Sequence, residues 1–350
     1  MSQPSPRKKV AVVGASGYSG EELLRLLGNH PEVELVAITS RQHAGKALGD
    51  VQPQFRGHPR LAGIRFIDSD VEKITATGAE FVFLALPHGL AGEFAEPLLR
   101  AGLRVLDLSA DFRLRSAAVF EEFYGAKHPA PQLLDQAVYG SPEIHRDAIV
   151  SAMLVACPGC YPTSILVPLV PLLRRGLLKP QSIIANCLSG VSGAGRKADI
   201  SLLFAECNES VRAYGLPKHR HLSEVEQELS LAAGTDLTIS FAPHLIPITR
   251  GILTTIHAAP DENLTIDALS AAYHEAYASE PFVRLLGTSD FPDVKYVART
   301  NYIDIGWQFD ARTGRVILLS AEDNLTKGAA GQAVQCLNLM AGFSETTGLI

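Results

Sequence analysis

Residues 9–39 carry the constraint from which the rest of the chain follows. Lys9-Val10-Ala11-Val12-Val13 is a β-branched, apolar run that ends at Gly14, as a buried strand does. Gly14-Ala15-Ser16-Gly17-Tyr18-Ser19-Gly20 comes next. In residues 21–27 leucines recur at helical spacing behind two acidic residues, placed where a helix dipole favours them. Residues 34–39 read as a second strand. A strand, a glycine-rich turn, a helix and another strand in so short a span open a doubly wound parallel sheet, because right-handed crossovers bring successive strands side by side.

Apolar runs at residues 81–86 and 105–108 extend this sheet, and residues 150–156 are expected to be its last strand. Beyond them, residues 164–174 read as a helix and residues 182–189 as a strand. Strands at 237–242, 251–259 and 299–308 suggest a second, largely antiparallel sheet, and residues 327–340 a closing helix. The expected class is α/β: a Rossmann-type doubly wound parallel sheet plus an α+β domain, with the division near residue 155. No internal repeat or low-complexity tract interrupts it.

Composition excludes several functions. With 47% hydrophobic and 19% charged residues, the 350-residue chain has the balance of a soluble globular enzyme. A net charge of −6 leaves no basic stripe for nucleic acid, and Arg7-Lys8-Lys9 reads as part of a solvated, proline-containing tail. The apolar stretch 165–173 is too short for a membrane span and contains Pro168 and Pro171. Cysteines at 157, 160, 187, 207 and 336 follow no signal-peptide pattern and are odd in number. A reducing, cytoplasmic setting without a disulfide framework is therefore expected. The lone CxxC, with proline and glycine inside it, argues against a metal site.

The loop from Gly14 to Gly20 is spaced GxxGxxG. Glycines allow the tight turn and let backbone N–H groups reach a pyrophosphate at a helix N-terminus. The end of the second strand carries Ser40-Arg41 and no acidic residue, which suits a 2′-phosphate and hence NADP(H). An isolated arginine can equally cap a surface loop; the glycine-rich turn upstream tips the reading toward the cofactor.

In Ala156-Cys157-Pro158-Gly159-Cys160-Tyr161-Pro162-Thr163-Ser164, two prolines and a glycine force a sharp turn after an apolar strand, and Pro162 fits a first helical turn. Cys160 thus stands at a helix entrance, where the dipole favours thiolate, the nucleophilic form. Most cysteines are small buried hydrophobes, and that reading suits Cys157, Cys187, Cys207 and Cys336. A thiolate needs a proton-transfer partner. Lys218-His219-Arg220-His221, followed by Glu224, offers a histidine acid–base and cations for an anionic substrate, although such a cluster alone also describes a solvated turn.

These segments together resemble the N-acetyl-γ-glutamyl-phosphate reductases of arginine biosynthesis, in the wider aspartate-semialdehyde dehydrogenase-like group. The resemblance runs from Val10 to Met340. It is carried by residues 14–20, Ser40-Arg41 with 44–46, 86–89, 107–113, 158–163, 189–196, 218–221 and 323–325 with 327–333. It implies an NADP-binding domain, 1–155, completed by residues 325–350, and a catalytic and oligomerisation domain, 156–324. Cys160 would be the covalent nucleophile and His219 the acid–base. Gly14, Ala15, Ser16, Gly17, Tyr18, Ser19, Ser40, Arg41, Pro87, Ser189, Gly190, Gly193 and Asn324 would serve the cofactor. Arg113, Ser192, Arg196 and His221 would hold a small-molecule acyl phosphate. A homo-oligomer, dimer or tetramer, is implied, with no nucleic-acid or membrane partner. Two rival readings remain: the same chemistry on an aminoadipyl phosphate of lysine biosynthesis, and a non-catalytic NADP-binding redox sensor switched by Cys157 and Cys160.

Overall fold

A computed structural model describes residues 6–350 of the chain, so the polar leader before them lies outside the description. The chain forms two compact units. One holds the chain up to residue 121 with 126–158 and 329–350, and the other holds 122–125 and 159–328.

The first unit is built on β1 (Lys8–Val13), β2 (Val33–Thr39), β3 (Phe66–Ile67), β4 (Phe81–Leu84), β5 (Arg104–Asp107), β6 (Ala137–Tyr139) and β7 (Leu154–Ala156). The strands run parallel in the order β3-β2-β1-β4-β5-β7-β6. Both faces are covered, which is why β1 is an unbroken apolar run. On one face Val10 and Val12 pack with Leu23, Leu27, Val334 and Leu337; on the other Ala11 and Val13 meet Phe94 and Leu98.

Lys8 and Lys9 belong to β1, and Lys8 pairs with Glu80 at 2.7 Å, so this part of the basic run is a strand end and not a tail. The expected strand 150–156 is also corrected. Helix Pro142–Ser151 takes its first residues, Pro142 occupying the first turn where no donor is needed, and only Leu154–Ala156 is extended. It is the last strand of this sheet along the chain, and β6 pairs outside it. Helix Gly331–Ala341 docks through Asn338. Its Oδ1 lies 2.9 Å from His30 Nε2, and its Nδ2 donates to the carbonyls of Glu345 and Thr347 at 3.0 and 2.9 Å.

The second unit contains β8 (Ile184–Ser189), β9 (Arg212–Ala213), β10 (Ser240–Leu245), β11 (Ile252–Ala258), β12 (Val283–Gly287), β13 (Ile303–Asp310) and β14 (Arg315–Glu322). The sheet order is β12-β13-β14-β11-β8-β10-β9, with β8–β10 and β12–β13 parallel and the other pairs antiparallel. Helix Cys160–Arg174 begins four residues before the expected start and contains Pro168 and Pro171. Each proline removes the N–H that would serve the carbonyl four residues back. Both carbonyls are taken up: Ser164 O by the Ser320 hydroxyl at 2.7 Å, and Val167 O by the Tyr277 hydroxyl at 2.6 Å. Among the described residues no helix is long and apolar enough to cross a membrane, and no cluster could hold a metal ion.

Candidate active site

In the first unit the glycine-rich loop leaves the end of β1, where the strand order reverses between β1 and β4. Such a switch point is where doubly wound sheets open a crevice. Gly14 has φ +83°, and a Cβ there would stand 2.4 Å from Ala85 O, just before Pro87. A Cβ on Gly20 would stand 2.6 Å from Gly14 O and 2.7 Å from Ala15 Cα. Only glycine fits either place.

At Gly17 the nearest atom would be 3.9 Å away, so that side of the turn is open. Gly17 is the N-cap of helix Tyr18–Asn29 and supplies no side-chain cap, which leaves the first amides of the helix for an anion. Tyr18 and Ser19 form the first positions of this helix. Beneath the loop, buried Gln52 donates Nε2 to Ala15 O at 2.9 Å, while its Oε1 has no partner among the described residues. These features fit a dinucleotide pyrophosphate. Ser40 Oγ lies 3.4 Å from Ser16 Oγ at the end of β2, and Arg41 forms an exposed pair with Glu93 at 3.4 Å.

In the second unit Cys160 is the first residue of its helix, with Gly159 as N-cap. The fully buried Glu224 accepts the Gly159 N–H at 3.1 Å. Neighbouring groups crowd this turn. A Cβ on Gly159 would stand 2.6 Å from His221 Nε2, and one on Gly328 would stand 2.7 Å from Cys160 Cβ and 2.8 Å from Glu322 Oε1. Cys160 is half-buried, and the other four cysteines are buried. Burial pushes the Cys187 thiol up to about 12. Cys207 and Cys336 donate to carbonyls, and Cys157 belongs to the core of the first unit. A thiol locked in a core makes a poor half of a redox switch.

Cys160 lines a cavity of about 450 Å³ with Ser189, Gly190, Gly193, Arg212, Tyr214, Lys218, His219, Arg220 and His221, among others. His219 is boxed edge-on by Tyr161, Tyr214, Phe241 and His221, at ring-centroid distances of 4.9 to 5.7 Å. Burial, then the charge of Arg220, lower its pKa to about 4. The ring is therefore neutral near pH 7. The backbone N–H of His221 donates to His219 Nδ1 at 3.1 Å, so the neutral ring carries its proton on Nε2. Gly215 (φ +64°) makes room for this ring: a Cβ there would be 2.9 Å from His219 Cδ2.

The loop 189–196 is tied down by Asn324, which donates to Ser192 Oγ at 3.0 Å and accepts the Gly251 N–H at 2.7 Å. Asp323, fully buried, holds the turn below it by accepting from Arg250 and from the amides of Arg299, Leu325 and Thr326.

Of the residues singled out from sequence, then, Cys160, His219, His221, Ser189, Gly190 and Gly193 share one cavity. Ser192 and Asn324 are engaged with each other, and Arg196 is exposed. Gly14 to Ser19, Ser40, Arg41 and Pro87 lie in the first unit, as does Arg113, whose guanidinium donates to Cys157 O at 2.8 Å and Leu108 O at 3.0 Å. Sequence reasoning missed Gln52, Arg212, Tyr214 and Glu322, none of which sits in a motif.

Comparison with known proteins agrees with this architecture. Residues 9–152 match the family model "Semialdehyde dehydrogenase, NAD binding domain", and residues 160–324 match "Semialdehyde dehydrogenase, dimerisation domain". The N-acetyl-γ-glutamyl-phosphate reductase of Akkermansia muciniphila is 60% identical over 97% of this chain and 98% of its own. That of Desulfotalea psychrophila is 52% identical over 97% of each. Among solved structures, aspartate semialdehyde dehydrogenase II of Vibrio cholerae superposes with a TM-score of 0.72 over 97% of this chain and 99% of its own, at 18% identity. The NADP-bound aspartate semialdehyde dehydrogenase of Candida albicans gives 0.72 over 95% and 97%, at 17% identity. Across nearly its whole length, the chain belongs to the N-acetyl-γ-glutamyl-phosphate reductases of the semialdehyde dehydrogenase family.

Proposed function

We propose that the chain reduces N-acetyl-γ-glutamyl phosphate to N-acetylglutamate 5-semialdehyde and phosphate, with Cys160 as nucleophile and His219 as hydrogen-bond donor to the reacting oxygen. The observation that carries the residue assignment is a half-buried cysteine at a helix N-terminus, sharing one cavity with a neutral histidine and three cationic side chains.

Cys160 thiolate attacks the γ-acyl carbon, the bond from carbon to the phosphate oxygen breaks, and a thioester and inorganic phosphate result. This covalent route divides one hard step into two. The amides at the start of helix Cys160–Arg174 face the oxygen on which negative charge develops. NADPH supplies the hydride when bound. His219 meanwhile donates its Nε2–H as a hydrogen bond to the oxyanion of the tetrahedral adduct on Cys160, keeping its proton; one such donor is typically worth about 10²–10³-fold. The carbonyl re-forms, the C–S bond breaks, and Cys160 leaves as thiolate.

Preference for NADPH over NADH rests on Ser40 and Arg41 at the end of β2 and on the absence of an acidic residue there. Arg196, Arg113 and His221 are proposed as further anion-binding groups. A homo-oligomer in the cytoplasm is proposed from the dimerisation-domain match and from the sheet face that exposes Ile184 at 40% and carries the half-buried Leu188, Leu253 and Leu319.

The reaction is tested in reverse by following NADP reduction with N-acetylglutamate 5-semialdehyde and phosphate, then with NAD and with the adipyl homologue. Phosphate-dependent reduction of NADP with the glutamate compound is expected. Preference for the homologue would change the substrate, and equal rates with NAD would remove the role of Arg41.

A further inference from the structure

The hydroxyls of Tyr161 and Tyr214 stand 2.6 Å apart, and both residues line the cavity that holds Cys160. Building on the reaction proposed above, we infer that Tyr214 is a phosphate-binding residue: Tyr161 donates to Tyr214, whose own hydroxyl proton goes to a phosphate oxygen of the acyl phosphate.

Two hydroxyls that share one hydrogen bond have one proton left over, and burial decides where it goes. Tyr161 is 2% exposed, its ring enclosed edge-on by His219, His221 and Phe241. The Tyr161 hydroxyl also has Ser189 as a hydrogen-bond partner, so an anionic oxygen beside Tyr214 can draw the chain of hydroxyl protons outward, Tyr161 donating to Tyr214. Tyr214 is 37% exposed on the cavity wall, so a proton left there meets solvent or ligand. The electrostatics agree. Burial raises the pKa of both tyrosines, so each keeps its proton near pH 7.

Position identifies the ligand atom. Tyr161 and Tyr214 line the same cavity as Cys160, on whose acyl adduct the phosphate departs. Tyr214 belongs to the same wall as Arg212, Arg220 and Lys218, the last of these also paired with Glu122 at 2.6 Å. A cationic wall suits the most highly charged part of the substrate, its phosphate. The reacting carbonyl oxygen has other donors, the helix amides and His219 Nε2.

The test varies phosphate in the reverse reaction, using Tyr214→Phe and Tyr161→Phe in the full-length enzyme. Tyr214→Phe keeps the ring against His219 and should raise the phosphate KM about 10- to 100-fold, the loss typical of one hydrogen bond to a charged group. The single-turnover hydride step, which needs no phosphate, should keep its rate. Tyr161→Phe should move the phosphate KM by less than about threefold, since Tyr214 keeps its proton. An unchanged phosphate KM in Tyr214→Phe, or a larger effect in Tyr161→Phe, would overturn the assignment. Wild-type enzyme without phosphate-dependent NADP reduction would instead overturn the reaction itself.

Discussion

A buried carboxylate holds the residue immediately before Cys160: Glu224 Oε2 accepts the Gly159 N–H at 3.1 Å. Glu224 lies in the first turn of helix Leu222–Ala233 and is fully buried, so its contact with Gly159 joins the start of one helix to the start of the other. Two opposing effects meet here. The hydrogen bond fixes the turn in which Cys160 is carried, whereas a negative charge nearby disfavours a thiolate.

The two effects can be separated by substitution. Glu224→Ala leaves a buried N–H unpaired, a cost of about 1–3 kcal/mol, and should lower both melting temperature and kcat. Glu224→Gln keeps an acceptor and should restore most of the kcat while the NADPH KM stays unchanged in both. Equal kcat losses in the two variants would show that charge matters there and the hydrogen bond does not.

The glycine loop makes a similar contrast for the cofactor. Gly20→Ala would place a methyl 2.6 Å from Gly14 O and should unfold the loop itself, lowering thermal stability of the apoenzyme. Gly17→Ala meets nothing closer than 3.9 Å, so the apoenzyme should melt normally. It should nevertheless bind NADPH at least about 10-fold more weakly, because backbone approach to a pyrophosphate is what the open side of the turn permits. Calorimetric titration of both variants decides it: normal NADPH affinity in Gly17→Ala would place the phosphates elsewhere.

How much of this could be read before the fold was known depends on sequence distance. The parallel sheet was legible because residues 10–13, 35–38 and 81–84 are apolar on both faces of their strands. Val150 misled: it ends helix Pro142–Ser151 but continues an apolar run into β7, and short apolar runs do not distinguish the two states. The helix entrance at Cys160 was legible from local proline and glycine. Glu224 meets Gly159 across 65 positions and Tyr161 meets Tyr214 across 53, and no local spacing encodes either contact. Glu322 comes beside Cys160 only because β14 runs back to the same place, a strand that was not foreseen at all.

Two buried groups should tilt stability with pH in opposite directions. His219 has its pKa lowered from 6.5 to about 4, so unfolding takes up a proton in that window. Its contribution is complete above pH 6.5 and is lost as pH falls toward 4, at most about 3 kcal/mol. Asp107, raised from 3.8 to about 7 by burial and then by Asp111, behaves in reverse: its contribution is complete below 3.8 and is lost as pH rises through 7. Melting profiles should therefore show His219→Gln losing less stability than wild type between pH 6.5 and 4. Asp107→Asn should gain relative to wild type at pH 8 compared with pH 5. Parallel profiles for all three proteins would mean that neither group titrates as its surroundings suggest.

The turn below the 189–196 loop provides the last and strictest expectation. Asp323 is fully buried, pairs with Arg250 at 2.8 Å and accepts the amides of Arg299, Leu325 and Thr326. Removing its charge leaves Arg250, whose side chain is only 12% exposed, with Thr326 Oγ1 but without its carboxylate, and breaking such a pair from one side costs up to about 3–5 kcal/mol. Asp323→Asn should consequently lower stability by that order. Because the turn carries Asn324, which bridges Ser192 and Gly251, it should also loosen the loop. Asn324→Ala removes the bridge and leaves the ion pair. It should cost less stability, about 1–3 kcal/mol, yet expose the loop to proteolysis as readily as Asp323→Asn does. Limited proteolysis set beside denaturant melts distinguishes the two roles. A loop in Asn324→Ala that resists cleavage like the wild type would show that residues 189–196 are held by something other than this bridge.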